Sequence, residues 1–211
     1  MENLPNEREE NSQKMELVEI QNEVMRKIGR NVLLYQQVEH ILKYLVSNGK
    51  ISGDVSTLKS RHEARKNSVS KRTMGTVAGD FFAEIFGEDS PSEDTTEKTN
   101  EIHLSISFRI ETEEKHFELR RDAIASLVAD RNELIHHLIP RLSTESVESW
   151  LETDRDLDLQ REKILPELRY LQTVAKQFSD MRKDLAEYLL SAEGKKHFPG
   201  LTDEDEGLAK G

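Results

Sequence analysis

Apolar positions in the first fifty residues recur at three- and four-residue spacing. Leu17, Val18, Val24, Ile28, Leu34, Tyr35, Val38, Ile41, Leu42 and Leu45 follow the helical period, which predicts a long amphipathic helix from Gln13 to Asn48, bent at Gly29 and ended by Gly49. Its second half, Asn31 to Val46, is apolar around most of its circumference and is expected to be buried on more than one side. A shorter apolar helical stretch carries Phe81, Phe82, Ile85 and Phe86. The period then changes. Ile102, Leu104, Ile106, Phe108 and Ile110 alternate strictly with polar residues, as in a half-buried strand, and Glu111 to Lys115 reads as a turn into a second strand at His116 to Leu119. Helical spacing returns from Arg121 to Leu142 despite Pro140, followed by a short helix capped by Ser143 and Thr144 and a long one from Asp158 to Ala192. The expected fold class is mainly α: a helical bundle of four to five helices with a small inserted β-hairpin at about 102–119.

Composition bounds this picture. With 211 residues, 35% hydrophobic and 34% charged, the chain holds one sizeable core but is lean in apolar residues. A single domain over 13–192 is expected, with disordered polar ends at 1–12 and at 193–211, the latter carrying Asp203-Glu204-Asp205-Glu206. The absence of cysteine excludes a disulfide framework and thiolate-bound zinc or iron–sulfur centres. The N-terminal sequence lacks the basic start and apolar run of a secretory signal, and no run reaches membrane-spanning length, so a cytoplasmic protein without a membrane partner is expected.

The net charge of −11 argues against general affinity for nucleic acid. One stretch departs from it. Between Asp54 and Thr73, Lys59, Arg61, Arg65, Lys66, Lys71 and Arg72 are met only by Glu63. This is either a solvated helix face or a track for a phosphate backbone, and the lack of interleaved aromatics argues against base stacking within it.

On the helix from Arg121 to Leu142, a turn of about 100° per residue gathers Ile124, Leu127, Val128, Leu134, Ile135, Leu138 and Leu142 into a stripe with Arg131 in its middle. An unpaired buried guanidinium is costly, so Arg131 must meet a carboxylate (Glu39 being a candidate), a ligand, or another chain. Asn132 and His136, four apart, share one flank, and His137 falls on the other. Two readings stand: a closed internal ion pair beside inert histidines, or a polar pocket edge that handles phosphate.

The segment Arg131-Asn132-Glu133-Leu134-Ile135-His136-His137 resembles the signature of the HEPN superfamily, in which four to six residues separate an Arg, commonly followed by a polar residue, from a His. His136 fits with four intervening residues and His137 with five. The helix around Leu34 to Lys43 is similar to the first core helix of such proteins. The hairpin lies outside the minimal family core, and the acidic Glu133 sits inside the motif. The resemblance implies a homodimeric, metal-independent endoribonuclease needing no cofactor, of a toxin–antitoxin, phage-defence or stress-response system. Arg131 and His136 would be catalytic, Asn132 supporting and His137 the alternative imidazole; the RNA would be fed along Lys59, Arg61, Arg65, Lys66, Lys71 and Arg72. An antitoxin or other protein partner is implied with it. The residue types suit the chemistry: imidazole as a class titrates near neutrality and can take a proton from a ribose 2′-hydroxyl, while a guanidinium grips phosphate bidentately. A different class of function, a non-catalytic immunity-like or adaptor module, is suggested by the acidic balance, which suits basic partners.

His62, His103, His116 and His197 show no metal-ligand spacing and read as structural or exposed. Gly75 and Gly79 lie in helical context rather than in a phosphate loop, no serine sits in a nucleophile elbow, and Trp150 with Leu151 is expected to pack a helix onto the core.

Overall fold

The protein is mainly α-helical with a small two-stranded antiparallel sheet. The computed structural model describes residues 7–86, 103–142 and 146–197, with the backbone alone for 7–13, 139 and 141. The first helix, α1 (Glu7–Gly49), begins inside the stretch expected to be disordered and runs unbroken through Gly29. It ends at Gly49, where a Cβ would collide with Ile85 Cδ1 unless that side chain shifted, so the bare glycine makes room for the Ile85 side chain.

Strand β1 (Lys50–Asp54) follows directly, then α2 (Leu58–Ser70), α3 (Met74–Ile85) and β2 (His103–Ser107). The alternation around residue 105 is indeed a strand, but its partner is β1, in the antiparallel register Lys50↔Ser107 to Asp54↔His103. His116–Leu119, read from the sequence as the second strand, opens α4 (Glu114–Asn132) instead. Period-two spacing identifies a half-buried strand without naming the chain segment that completes its hydrogen bonds. The pairing continues beyond β2, with Phe108 N–H donating to Gly49 O at 2.8 Å and Ile110 N–H to Ile85 O at 2.8 Å.

After α4 the backbone widens into a π turn (Glu133–His137) before the short α5 (Leu138–Arg141). Ser143 and Thr144, the expected caps, lie outside the described residues. The cap of the next helix is Ser146, whose Oγ accepts from Ser149 N–H at 3.3 Å. That helix, α6 (Val147–Leu190), is one element passing through Pro166, not the short and long helices expected. Trp150, Thr153, Leu157, Ile164, Leu168, Leu171, Val174 and Phe178 form a continuous buried seam at helical spacing, which the charge run Asp154–Arg155–Asp156 obscures in the sequence. Finally, α7 (Ala192–His197) is helical where a disordered tail was expected.

The chain divides into two compact units, Met1–Val38 with Ala123–Leu168, and Glu39–Asp122 with Arg169–Gly211. The first buries Val24, Tyr35, Val38, Ile124, Leu127, Leu134, Trp150, Leu157, Ile164 and Leu168. The second buries the end of α1 on several sides, at Leu42, Leu45 and Val46, and its core includes Leu58, Val69, Phe81, Ile85 and Leu171 as well. Its aromatic centre is a run of edge-to-face and tilted contacts among Phe81, Phe82, Phe86 and Phe117, with centroids 5.2–5.8 Å apart. Among the described residues no helix is long and apolar enough to cross a membrane.

Candidate functional site

Arg131 lies in the last turn of α4, just before its final residue Asn132, and is half-buried, and its Nη1 donates to Asn132 Oδ1 at 3.1 Å. Glu39, the carboxylate suggested for it by the sequence, makes an ion pair with Lys43 at 2.7 Å. The next five residues form the π turn, which the hundred-degree extrapolation from the sequence did not foresee. Past Asn132 that extrapolation fails, because each π turn holds more residues than an α turn. Ile124, Leu127 and Leu134 are buried as the stripe requires, whereas Ile135, assigned to the same stripe, is 44% exposed. His136 and His137 are both exposed, with ring centroids 6.3 Å apart. The site is therefore an open surface: a half-buried guanidinium tied to its neighbouring amide, then two adjacent imidazoles on a widened turn.

The basic stretch is divided by the fold. Lys59, Arg61 and Lys71 are exposed and Lys66 is half-buried. Arg65 donates to Val46 O at 2.8 and 3.1 Å and pairs with Glu84. Arg72 pairs with Asp80 at 2.6 Å. In the sequence these cations have only Glu63 for company; α3 brings in two further acids from a segment that reads as apolar. Arg61 and Arg65 instead join Lys50, Ile51, Ser52 and His62 around a pocket of about 220 Å³ between α2 and β1.

The scattered histidines have separate roles. His103 takes Ser52 Oγ at 3.0 Å on Nε2 and Asp54 Oδ1 at 3.1 Å on Nδ1, forming a cross-strand clasp on the solvent side of the sheet. The order Ser–His–Asp is that of a nucleophile relay, yet the register explains it: Asp54 lies directly opposite His103 and Ser52 diagonally across. His116 packs edge-on to Tyr170, and His197 Nδ1 meets Tyr188 Oη at 2.9 Å. In His62 both ring nitrogens are buried without a hydrogen-bond partner among the described residues. Burial foremost, then the charges of Lys66, Arg182 and Arg65, pushes its imidazole below the ordinary value, against a smaller opposing pull from Glu63.

In the first unit the sequence missed a polar cluster. Lys27, buried on α1, pairs with Asp158 at 2.6 Å and Asp154 at 2.7 Å. Arg30 reaches Asp158 at 3.0 Å, and Asn31 Nδ2 donates to Leu157 O at 2.7 Å. Burial works against the Lys27 ammonium, but the hydrogen bonds and charges of the two aspartates outweigh it and raise the value. The hydrogen bond from Lys27 foremost, with that from Arg30, holds Asp158 below the usual carboxylate range despite some burial. The Asn31–Lys27 face of α1, at helical spacing with the apolar seam, could have marked these positions as inward-facing. Tyr35 lies in the same unit with its hydroxyl buried and, among the described residues, without a hydrogen-bond partner. Burial foremost, with the Asp130 charge, pushes its phenol upward.

No family model, no curated protein and no solved structure matches the chain.

Proposed function

We propose that the chain is a HEPN-like homodimeric endoribonuclease of a toxin, defence or stress-response system, working without metal through Arg131, Asn132 and His136. The observation that carries this reading is the π turn, Glu133–His137, that follows Arg131 and Asn132 and holds His136 and His137. Such single wide turns are rare and are found frequently at functional sites. Here the turn presents two exposed imidazoles immediately after a guanidinium whose side chain is held by Asn132.

In this reading a neutral His136 removes the proton from a ribose 2′-hydroxyl, and the resulting alkoxide attacks the adjacent phosphorus. The P–O5′ bond breaks, leaving a 2′,3′-cyclic phosphate on one fragment and, once a protonated imidazole gives up its proton, a 5′-hydroxyl on the other. His137 is the nearest second imidazole for that donation. Arg131 neutralises charge on the pentacoordinate phosphorus, and Asn132 orients the guanidinium. The nucleophile belongs to the substrate, so the sequence of steps balances without a metal-bound water.

The dimer draws support from α1. Met15, Val18, Met25 and Leu33 are all exposed, Met25 by 60% and Leu33 by 59%, and at 100° per residue they fall within one quadrant together with Gly29. Open space surrounds the Cβ position of Gly29. This apolar strip lies in the same unit as Arg131 and His136, as expected if a second copy covers it and brings its own motif.

The deciding experiment incubates purified protein with mixed RNA in chelator, beside Arg131→Ala and His136→Ala. Cleavage by the unmutated chain alone supports the reading, and RNA left intact by concentrated dimeric protein overturns it in favour of a binding module.

A further inference from the structure

The pocket between α2 and β1 carries a second proposal, which does not depend on the ribonuclease reading. It is lined by Lys50, Arg61, His62 and Arg65 together with Ile51 and Ser52. Neither Lys50 nor Arg61 makes an ion pair among the described residues. Arg65 is fixed from behind by Val46 O and Glu84, which leaves it oriented rather than mobile. Gly53 helps build the wall: a Cβ there would stand 2.9 Å from Arg61 Cδ, so the bare glycine lets Arg61 lie against the strand. Both ring nitrogens of His62 are buried and find no hydrogen-bond partner among the described residues, an arrangement that suits an acceptor placed in the pocket.

We propose that this pocket is a phosphate-binding site. Its volume of about 220 Å³ is below the roughly 300 Å³ at which sites for drug-sized ligands begin, which suits a compact oxyanion. A tetrahedral phosphate offers acceptors on several sides at once. Two of them match the planar fork of Arg61, another meets the Lys50 ammonium, and another satisfies a His62 nitrogen. The charge fits as well. Two uncommitted cations and a third neutralised by Glu84 leave a local positive excess on a protein of net charge −11. An anion there offsets the charges of Lys66, Arg65 and Arg182, which now oppose protonation of His62 and are only partly countered by Glu63. Bound phosphate and a protonated His62 therefore reinforce each other, and the coupling is reciprocal.

The test follows the His62 ring by NMR in the full chain while sulfate is added, because sulfate keeps its charge over the range in which imidazole titrates. The expected result is a saturable shift at His62, tighter at about pH 6 than at about pH 8, with His62 protonating at higher pH in sulfate. Arg61→Gln and Lys50→Gln should each weaken binding roughly ten- to a hundredfold, whereas Lys183→Gln, an exposed cation elsewhere on α6, should not. Arg131→Ala should leave the shift intact, which separates this site from the ribonuclease reading. Competition then identifies the source of the phosphate: displacement of sulfate by short single-stranded RNA points to a nucleic-acid backbone, and displacement only by inorganic phosphate to a free ion. A shift that does not saturate, one that survives both Gln substitutions, or sulfate displaced by neither competitor overturns the proposal.

Discussion

The Arg131 guanidinium donates to Asn132 Oδ1 at 3.1 Å, so the first two residues of the motif are joined to each other before the helix widens toward His136. Losing the amide should leave the guanidinium charged but unaimed. In RNA cleavage assays Asn132→Ala is expected to lose about tenfold, and His136→Ala about 10²- to 10⁴-fold, the range of a lost general base. Arg131→Lys keeps the charge but not the fork and should be far below the unmutated chain. Equal activity of Arg131→Lys and the unmutated protein would remove the phosphate-gripping role.

Adjacent imidazoles at 6.3 Å divide the proton work if His136 takes the 2′-hydroxyl proton and His137 protonates the departing oxygen. A uridine phosphodiester with a nitrophenolate leaving group needs no proton at departure. His137→Ala should be slow on RNA yet near normal on that ester, while His136→Ala should be slow on both. The reverse pattern would exchange the two roles.

The apolar strip on α1 should hold the dimer. Leu33→Glu or Met25→Glu places a carboxylate where a second copy is expected to pack, and both side chains are exposed, so neither change opens a cavity within one copy. Sedimentation should show monomers, and RNA cleavage should fall with the dimer fraction. Cleavage at full rate by monomers would show that one copy carries a complete site.

Lys27→Met exchanges a buried ammonium for an apolar chain of similar length and leaves Asp154 and Asp158 without it. Both acids are partly exposed, which limits the penalty to roughly 1–3 kcal/mol in denaturant titrations. The pH dependence has two edges. Asp158 is held below its ordinary 3.8, so its share is present above that pH and is lost as pH falls through the lower folded value. Lys27 is raised above 10.5, so its share is present below that pH and is lost as pH rises through the folded value. The difference between Lys27→Met and the unmutated chain should therefore be greatest between these limits and shrink outside them.

His62 gives the opposite edge near neutrality. Its folded value lies below 6.5, so the unfolded chain binds the proton first and stability declines as pH falls from about 6.5 through the folded value. His62→Gln cannot titrate and should flatten that decline in urea midpoints measured across the interval. An unchanged slope would mean that the imidazole is as easily protonated in the fold as outside it.

Local periodicity was enough to place α1, its stop at Gly49, the strand around residue 105 and the apolar side of α4, because each depends on which residues face inward along a single element. It also set Arg131 on that stripe with Asn132 and His136 on one flank, while their choice as site residues, with His137, came from the resemblance to the HEPN signature. Tertiary structure alone decided the rest. β2 pairs with β1 rather than with its neighbour in sequence, since an unpaired strand edge is satisfied by whichever backbone the packing brings beside it. Glu84 and Asp80 occupy Arg65 and Arg72, Lys27 finds its aspartates more than a hundred residues away, and Ile135, within the π turn, lies exposed although its spacing assigns it to the apolar stripe. Charge pairing and helix phase depend on distances across elements, and those distances exist only once the chain has folded.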